Sequence, residues 1–285
     1  MQTIETLGET RRVRSSATHR ALPSRFWLLH GLLPALALVV ALFAFQVLPI
    51  DTVVARLWAY DPTRGRWIGH ARWWADEILH TDGRIAILLI IGGLLVTLGA
   101  SGLNRRLHAA RGTAVYLLAT IALAWGLVGA LKQVTNVACP WSLEGFGGER
   151  PHVGLFDPRP QGYPAAACFP GAHSASGFSL FAFYFAFRDR RRRRARKLLA
   201  VATLAGMAFA FGQEARGAHF LSHDVVSAFI AWFVALGTYV LWRRIARAPQ
   251  PLNARFEFKR ASPPPGAMPV PATSERAAEH DAEYR

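Results

Sequence analysis

Cys168-Phe169-Pro170-Gly171-Ala172-His173-Ser174-Ala175-Ser176-Gly177-Phe178 opens one apolar segment, and Arg216-Gly217-Ala218-His219-Phe220-Leu221-Ser222-His223-Asp224 leads into another. Both runs stand where polar sequence meets a long apolar stretch, so two histidines are delivered to one edge of a membrane. His173 follows a proline and two small residues and starts a helix, whose free backbone N–H groups and positive dipole end favour an anion. Gly171 and Ala172 allow a phosphate to approach that backbone closely. A histidine pair with an arginine and an acid is the chemistry of phosphoryl transfer.

Working outward, a hydrocarbon core about 30 Å thick is crossed by roughly 20 helical residues. Six segments qualify: Phe26–Leu48, Arg84–Gly102, Thr113–Leu131, His173–Phe187, Leu198–Gly212 and Val225–Trp242. The fourth and fifth are short, and the fourth borrows its first turn from the histidine loop. The expected fold class is all-α, a polytopic membrane protein with six transmembrane helices. Residues 26–248 form its single membrane domain, flanked by disordered cytoplasmic ends at 1–25 and 249–285, the latter carrying Pro263-Pro264-Pro265. The first segment exceeds a signal-peptide core and lacks a small-residue cleavage site, so it is expected to remain as a span.

Charge sets the orientation. Residues 1–25, 103–112, 188–197 and 243–285 hold 24 of the 33 Lys and Arg, so these sides and both termini are expected to be cytoplasmic, with the histidine loops facing outward. The formal charge of +15 therefore does not indicate a nucleic-acid partner, and Arg190 to Arg194 read as a topology anchor on anionic lipid. Cys139 and Cys168 are the only cysteines and share the outward loop between the third and fourth spans. A disulfide between them is favoured over two free thiols in an oxidising compartment and is worth about 3–4 kcal/mol on the chain-entropy model.

Lys132, at the outward end of the third span, is either a snorkelling anchor or a phosphate-binding cation close in sequence to the histidine loop. His219 and His223 share a helix face if their segment is helical. With Asp224 beside them they also have metal-ligand spacing, but without a His-Glu-x-x-His pattern no metal is expected. Arg216 is suited to bidentate phosphate binding.

These residues resemble the type 2 phosphatidic acid phosphatase family, membrane-bound lipid phosphate phosphatases with a helical core like that of soluble acid phosphatases and vanadium haloperoxidases. Its three motifs, Lys-x6-Arg-Pro, Pro-Ser-Gly-His and Ser-Arg-x5-His-x3-Asp, are matched in part from Lys132 to Asp224. Lys132 and Pro140 keep the first spacing, with Cys139 at the arginine position. Pro170 and His173 keep the second, with Gly171-Ala172 replacing Ser-Gly. In the third, His219 matches, Gln213 stands for the arginine with Arg216 as a displaced substitute, and His223 takes the aspartate position with Asp224 one residue late. The Cys-Pro-Trp, Phe-Gly-Gly and Arg-Gly-Ala-His-Phe-Leu-Ser-His stretches are similar to those of a bacterial subgroup.

The resemblance implies that His219 attacks phosphorus to give a phosphohistidine and that His173 protonates the leaving lipid oxygen. Lys132, Arg216, Gln213 and the backbone at Gly171 and Ala172 would bind the phosphate, and Asp224, preferred for its charge, or His223 would orient the nucleophile. No cofactor is needed. The substrate implied is a phosphorylated lipid of a bacterial inner membrane, with lipid A or undecaprenyl pyrophosphate ahead of phosphatidylglycerol phosphate and phosphatidic acid, acted on from the periplasmic side. The loops around Trp58–Asp82 and Trp141–Ala167 would shape a headgroup pocket. A phosphotransferase using the same residues and a non-catalytic lipid-phosphate binder stay open, and the sequence sets no oligomeric state.

Overall fold

The computed structural model describes residues 22–247 apart from 156, 159 and 160. The expected tails, 1–25 and 249–285, lie outside the described residues except for 22–25. The long helices are α1 Ser24–Val47, α3 Trp74–Ala100, α5 Arg111–Thr135, α8 Arg192–Ala215 and α9 Leu221–Arg247. Shorter ones are α2 Ile50–Val54, α4 Arg105–His108, α6 Ala172–Phe178 and α7 Phe181–Phe187, and one two-stranded antiparallel ribbon pairs β1 Tyr60–Asp61 with β2 Arg66–Trp67.

Among the described residues five helices are long and apolar enough to cross a membrane, one fewer than the six spans expected. The difference is the fourth segment, where α6 and α7 are seven-residue helices broken at Ser179 and Leu180. Its small residues and serines explain the break, because Ser176 and Ser179 each turn their hydroxyl back onto a local carbonyl and compete with helical continuity. Two other boundaries move outward. α3 starts at Trp74 rather than near Arg84, the polar stretch Trp74–Asp82 being a wide-wound extension of the same helix, and α8 takes in basic residues from Arg192.

α6 and α7 sit centrally, against α5, α8 and α9, while α1 lies on α9 and α3 on α5 and α8. Between α6 and α8 the backbones nearly touch. A Cβ on Gly177 would come within 2.7 Å of the Gly206 Cα, and a Cβ on Gly206 would strike the Phe178 ring. Small residues at helix crossings are how membrane helices gain contact where the hydrophobic effect is weak. Around this crossing Tyr116, Phe178, Phe181, Phe185, Phe209 and Tyr239 form the main core. The outer face of α1 is the opposite case. Val39, Val40 and Phe43 are 63%, 66% and 68% exposed, an apolar surface that only lipid covers favourably. The five apolar helices make this a multi-pass membrane protein.

At the basic end, Asp189 accepts hydrogen bonds from Tyr239 and Arg243, and the Arg188 guanidinium lies 4.3 Å from the Phe26 ring centroid. At the other end, Tyr60, Trp67, Leu143, Phe146 and Phe220 form a second small core that joins the loops to the start of α9.

Candidate active site

His219 lies in the connection between α8 and α9, a short segment tied down on every side. Gly217 has φ +76°, a left-handed conformation, and a Cβ there would strike the Trp67 indole, so glycine is required. The Gly217 carbonyl accepts from the Trp141 N–H, and the Ala218 N–H donates to the Gln213 carbonyl, both at 2.9 Å. α9 then begins under a cap supplied from far away in sequence: Asp51, on α2, accepts from the Ser222 N–H at 2.8 Å and from the Ser222 hydroxyl.

This geometry sets His219 Nδ1 3.2 Å from His223 Nδ1, with both rings buried. One nitrogen of the pair donates and the other accepts. If His219 donates, its Nε2 carries the free lone pair that a nucleophile needs. Burial holds His219 well below the ordinary imidazole value, and neighbouring His223, Lys132 and His173 add to the effect.

Asp224, preferred from the sequence as the orienting acceptor, points elsewhere. Its Oδ1 accepts from the Ser174 hydroxyl at 2.5 Å and lies where a Cβ on Gly171 would be. Its Oδ2 is buried with no partner among the described residues. His219 precedes α9, so the two histidines do not share a helix face. His223 and Asp224 are consecutive in its first turn, ~100° apart about the axis, and so one meets His219 while the other meets Ser174. The side chain in hydrogen-bond contact with the His219 ring is therefore His223.

The remaining expected site residues divide. Lys132, in the last turn of α5, donates to the Cys168 carbonyl at 3.3 Å, next to the disulfide that joins Cys139 and Cys168 with their Cα atoms 5.1 Å apart. Arg216 is bound to Asp76, Nε to Oδ1 at 2.6 Å, so its charge is partly neutralised. Gln213 is a scaffold residue, buried and bonded to His80 Nδ1 at 2.9 Å. The Gly171 N–H donates to the His223 carbonyl at 3.1 Å, so it is committed to tying the loop to α9 and is not free for phosphate, while Ala172 is exposed. His173 is half-buried, with Nε2 2.7 Å from the Leu79 carbonyl and its ring against Phe209 and His80.

Five participants were not anticipated: Asp51, Asp76, His80, Ser174 and His152. Asp51 and His152 line a narrow cavity reaching His223, together with Phe169 and Phe220. The signal for Asp76 and His80 was their position, ionisable groups at the head of an apolar span. Burial pushes the Asp51 carboxyl up, opposed by the two hydrogen bonds from Ser222. Among the described residues no three of His, Cys, Asp and Glu gather as metal ligands.

Lys132, His173 and His219 all fall within one stretch that a family model matches. Residues 113–247 match the family model of the PAP2 superfamily. This PAP2 segment spans α5 to α9 and so contains every candidate reacting group, consistent with a type 2 phosphatidic acid phosphatase family member. α1 to α4 lie outside the match. PAP2 proteins are in general phosphatases, and the match suggests phosphatase activity on a phosphorylated substrate in this membrane protein. No curated protein and no solved structure matches the chain.

Proposed function

We propose that this PAP2 protein is a lipid phosphatase that hydrolyses a phosphate monoester or pyrophosphate at the periplasmic face of a bacterial inner membrane, with both termini cytoplasmic. The observation that carries the reading is the buried His219–His223 contact inside the PAP2 segment. His219 Nε2 forms a bond to phosphorus while the bond from phosphorus to the leaving oxygen breaks, and that oxygen takes the electron pair and a proton from Nδ1 of protonated His173, whose Nε2–H stays on the Leu79 carbonyl. Water then attacks the phosphohistidine, giving a proton back to His173 and releasing orthophosphate. Lys132 balances the charge that develops on the equatorial oxygens. The orientation rests on the 24 of 33 Lys and Arg on the opposite side from the histidines.

The test is phosphate release from a panel of lipid phosphates in detergent with chelator present, comparing wild type with His219→Ala. Turnover in the wild type and none in the variant is expected. Equal turnover by both proteins would remove His219 as nucleophile.

One observation favours a second reading, a non-catalytic binder of lipid phosphate. Cys139, at the family's first arginine position, is in a disulfide, and Arg216 is paired with Asp76, which leaves Lys132 as the cation acting on His219. Saturable binding of lipid phosphate without release of orthophosphate would support it.

A further inference from the structure

The β1–β2 ribbon and the chain leading from it to α3 enclose a polar cavity of about 360 Å³. Arg64, Arg66, His70 and Arg72 line it, together with Trp67 and Asp61. It shares no lining residue with the cavities that reach His223 or His173, and all of it precedes residue 113, outside the PAP2 match. The loop around Trp58–Asp82, expected to shape a headgroup pocket for the reacting site, thus also carries a compartment of its own.

Charge decides what this compartment takes. Cations are sparse on the side of the histidines, yet three arginines fall between positions 64 and 72. The carboxylate in the cavity is committed to its own turn: Asp61 Oδ1 accepts from the Thr63 N–H, the Thr63 hydroxyl and the Arg64 N–H, and Oδ2 stands 3.6 Å from Arg64. Arg66 and Arg72 are in no ion pair among the described residues. Three guanidiniums against one carboxylate leave an excess of two positive charges, which a dianion cancels and a phosphodiester only halves. Guanidinium forks match phosphate oxygens in pairs.

The walls are fixed in place. Trp67 is buried, its indole N–H donates to the Phe146 carbonyl at 3.2 Å, and its ring stacks on Phe146 with centroids 5.4 Å apart. Ala71 has φ +53°, uncommon for a residue with a Cβ, and this reversal brings its neighbours His70 and Arg72 onto the same cavity. Ile68, in the wall, and Trp73, beside it, are both exposed, the kind of side chain that sits at headgroup depth in a membrane interface.

The same walls buttress the segment that carries His219. The Trp67 indole stands where a Cβ on Gly217 would be, and the Gly69 N–H donates to the Ala215 carbonyl at 2.9 Å. The Asp76 N–H donates to the Arg72 carbonyl, also at 2.9 Å, while the Asp76 carboxylate holds Arg216. Three like charges around one cavity repel one another and work against these contacts. A dianion between them turns repulsion into attraction and stabilises the fold that binds it.

We propose that the Arg64–Arg66–Arg72 cavity is a second anion site, which takes a phosphate monoester dianion, from a lipid headgroup or as free orthophosphate, as a ligand and not as substrate. Its occupancy holds the Gly217–His219 segment in working geometry. Binding there is independent of the phosphatase reading, and the effect on rate rests on it.

The experiment measures binding to full-length His219→Ala/Lys132→Gln protein, whose reacting site has lost its nucleophile and its cation, with and without Arg66→Gln/Arg72→Gln. Both arginines are exposed, so the variant is expected to fold, which its elution as a single species in detergent checks. The probes are radiolabelled orthophosphate, by equilibrium dialysis in detergent, and phosphatidic acid in phosphatidylcholine nanodiscs, by native mass spectrometry. Phosphatidylglycerol, a phosphodiester, is the monoanion control. The expected result is an affinity about 10- to 100-fold lower in the arginine variant, the effect of removing charged hydrogen bonds, with a smaller change on phosphatidylglycerol. Loss for phosphatidic acid alone assigns a lipid headgroup, loss for orthophosphate alone assigns the free ion, and loss for both assigns the phosphate group from either source. Unchanged affinity for both probes, or an equal loss on phosphatidylglycerol, overturns the dianion site. In otherwise wild-type protein the arginine pair is expected to lower kcat more than it raises KM, because it acts on the His219 segment and not on substrate. Weakened binding with unchanged kcat would overturn the hold on His219, and weakened binding in a wild type without turnover would sink the phosphatase reading and keep the site.

Discussion

His219 and His223 place their Nδ1 atoms 3.2 Å apart, so the tautomer of one ring fixes that of the other. If His223 accepts the His219 Nδ1 proton, His223→Ala leaves His219 present but free to take the wrong tautomer, and kcat is expected to fall by ~10²–10⁴-fold, as for other orienting partners. Asp224→Asn should cost less, because Asp224 bonds Ser174 and not His219. A larger loss from Asp224→Asn than from His223→Ala would restore Asp224 as the orienting group. The depressed imidazole value gives a second prediction. A lowered value means that the neutral, attacking form persists as pH falls below the ordinary histidine range, so the acid limb of kcat/KM should lie below pH ~6.5. A pH–rate profile with its acid limb at or above that value would contradict it.

At the scale of elements, the start of α9 is held by Asp51 across a loop of more than a hundred residues. Asp51→Ala removes the acceptor for the Ser222 N–H and hydroxyl, which should cost ~1–2 kcal/mol of stability and lower kcat by loosening the His219–Asp224 segment. Asp51→Asn, which keeps one acceptor oxygen, should lie between. Thermal melts in detergent alongside turnover would show this ordering, and identical melting of all three proteins would deny the cap. The crossing of α6 and α8 is less forgiving. Gly177→Val places a branched side chain where the Gly206 backbone stands, and the expected outcome is loss of a detergent-stable monodisperse protein rather than a change in rate. Recovery of well-behaved Gly177→Val protein would mean that the helices can separate at little cost.

For the whole molecule, the charge asymmetry makes one prediction. A reporter fused after Lys197 should read cytoplasmic, and one inserted near Gly148 periplasmic. The opposite labelling would place the reaction on the cytoplasmic face and exclude a lipid of the outer leaflet. Hydrolysis should continue in excess EDTA and be inhibited by vanadate, a mimic of five-coordinate phosphorus. Activity lost to chelator and restored by Zn²⁺ or Mg²⁺ would replace the phosphohistidine with metal-activated water.

The apolar segments, their number to within one and the two histidine runs at membrane edges were legible in the sequence, because hydropathy and charge act locally along the chain. The spacings carried the PAP2 relationship for the same reason, since Lys132, His173 and His219 lie at helix ends whose positions the hydropathy marks. What each polar group meets was decided only in three dimensions. The break at Ser179–Leu180 comes from serines returning to local carbonyls and from the glycine crossing with α8. Arg216 is taken by Asp76 and Asp224 by Ser174, and the Gly171 N–H is taken by the His223 carbonyl. These partners are 50 or more residues away, and a buried polar group bonds to whatever the packed helices bring within 3 Å, which no local pattern encodes.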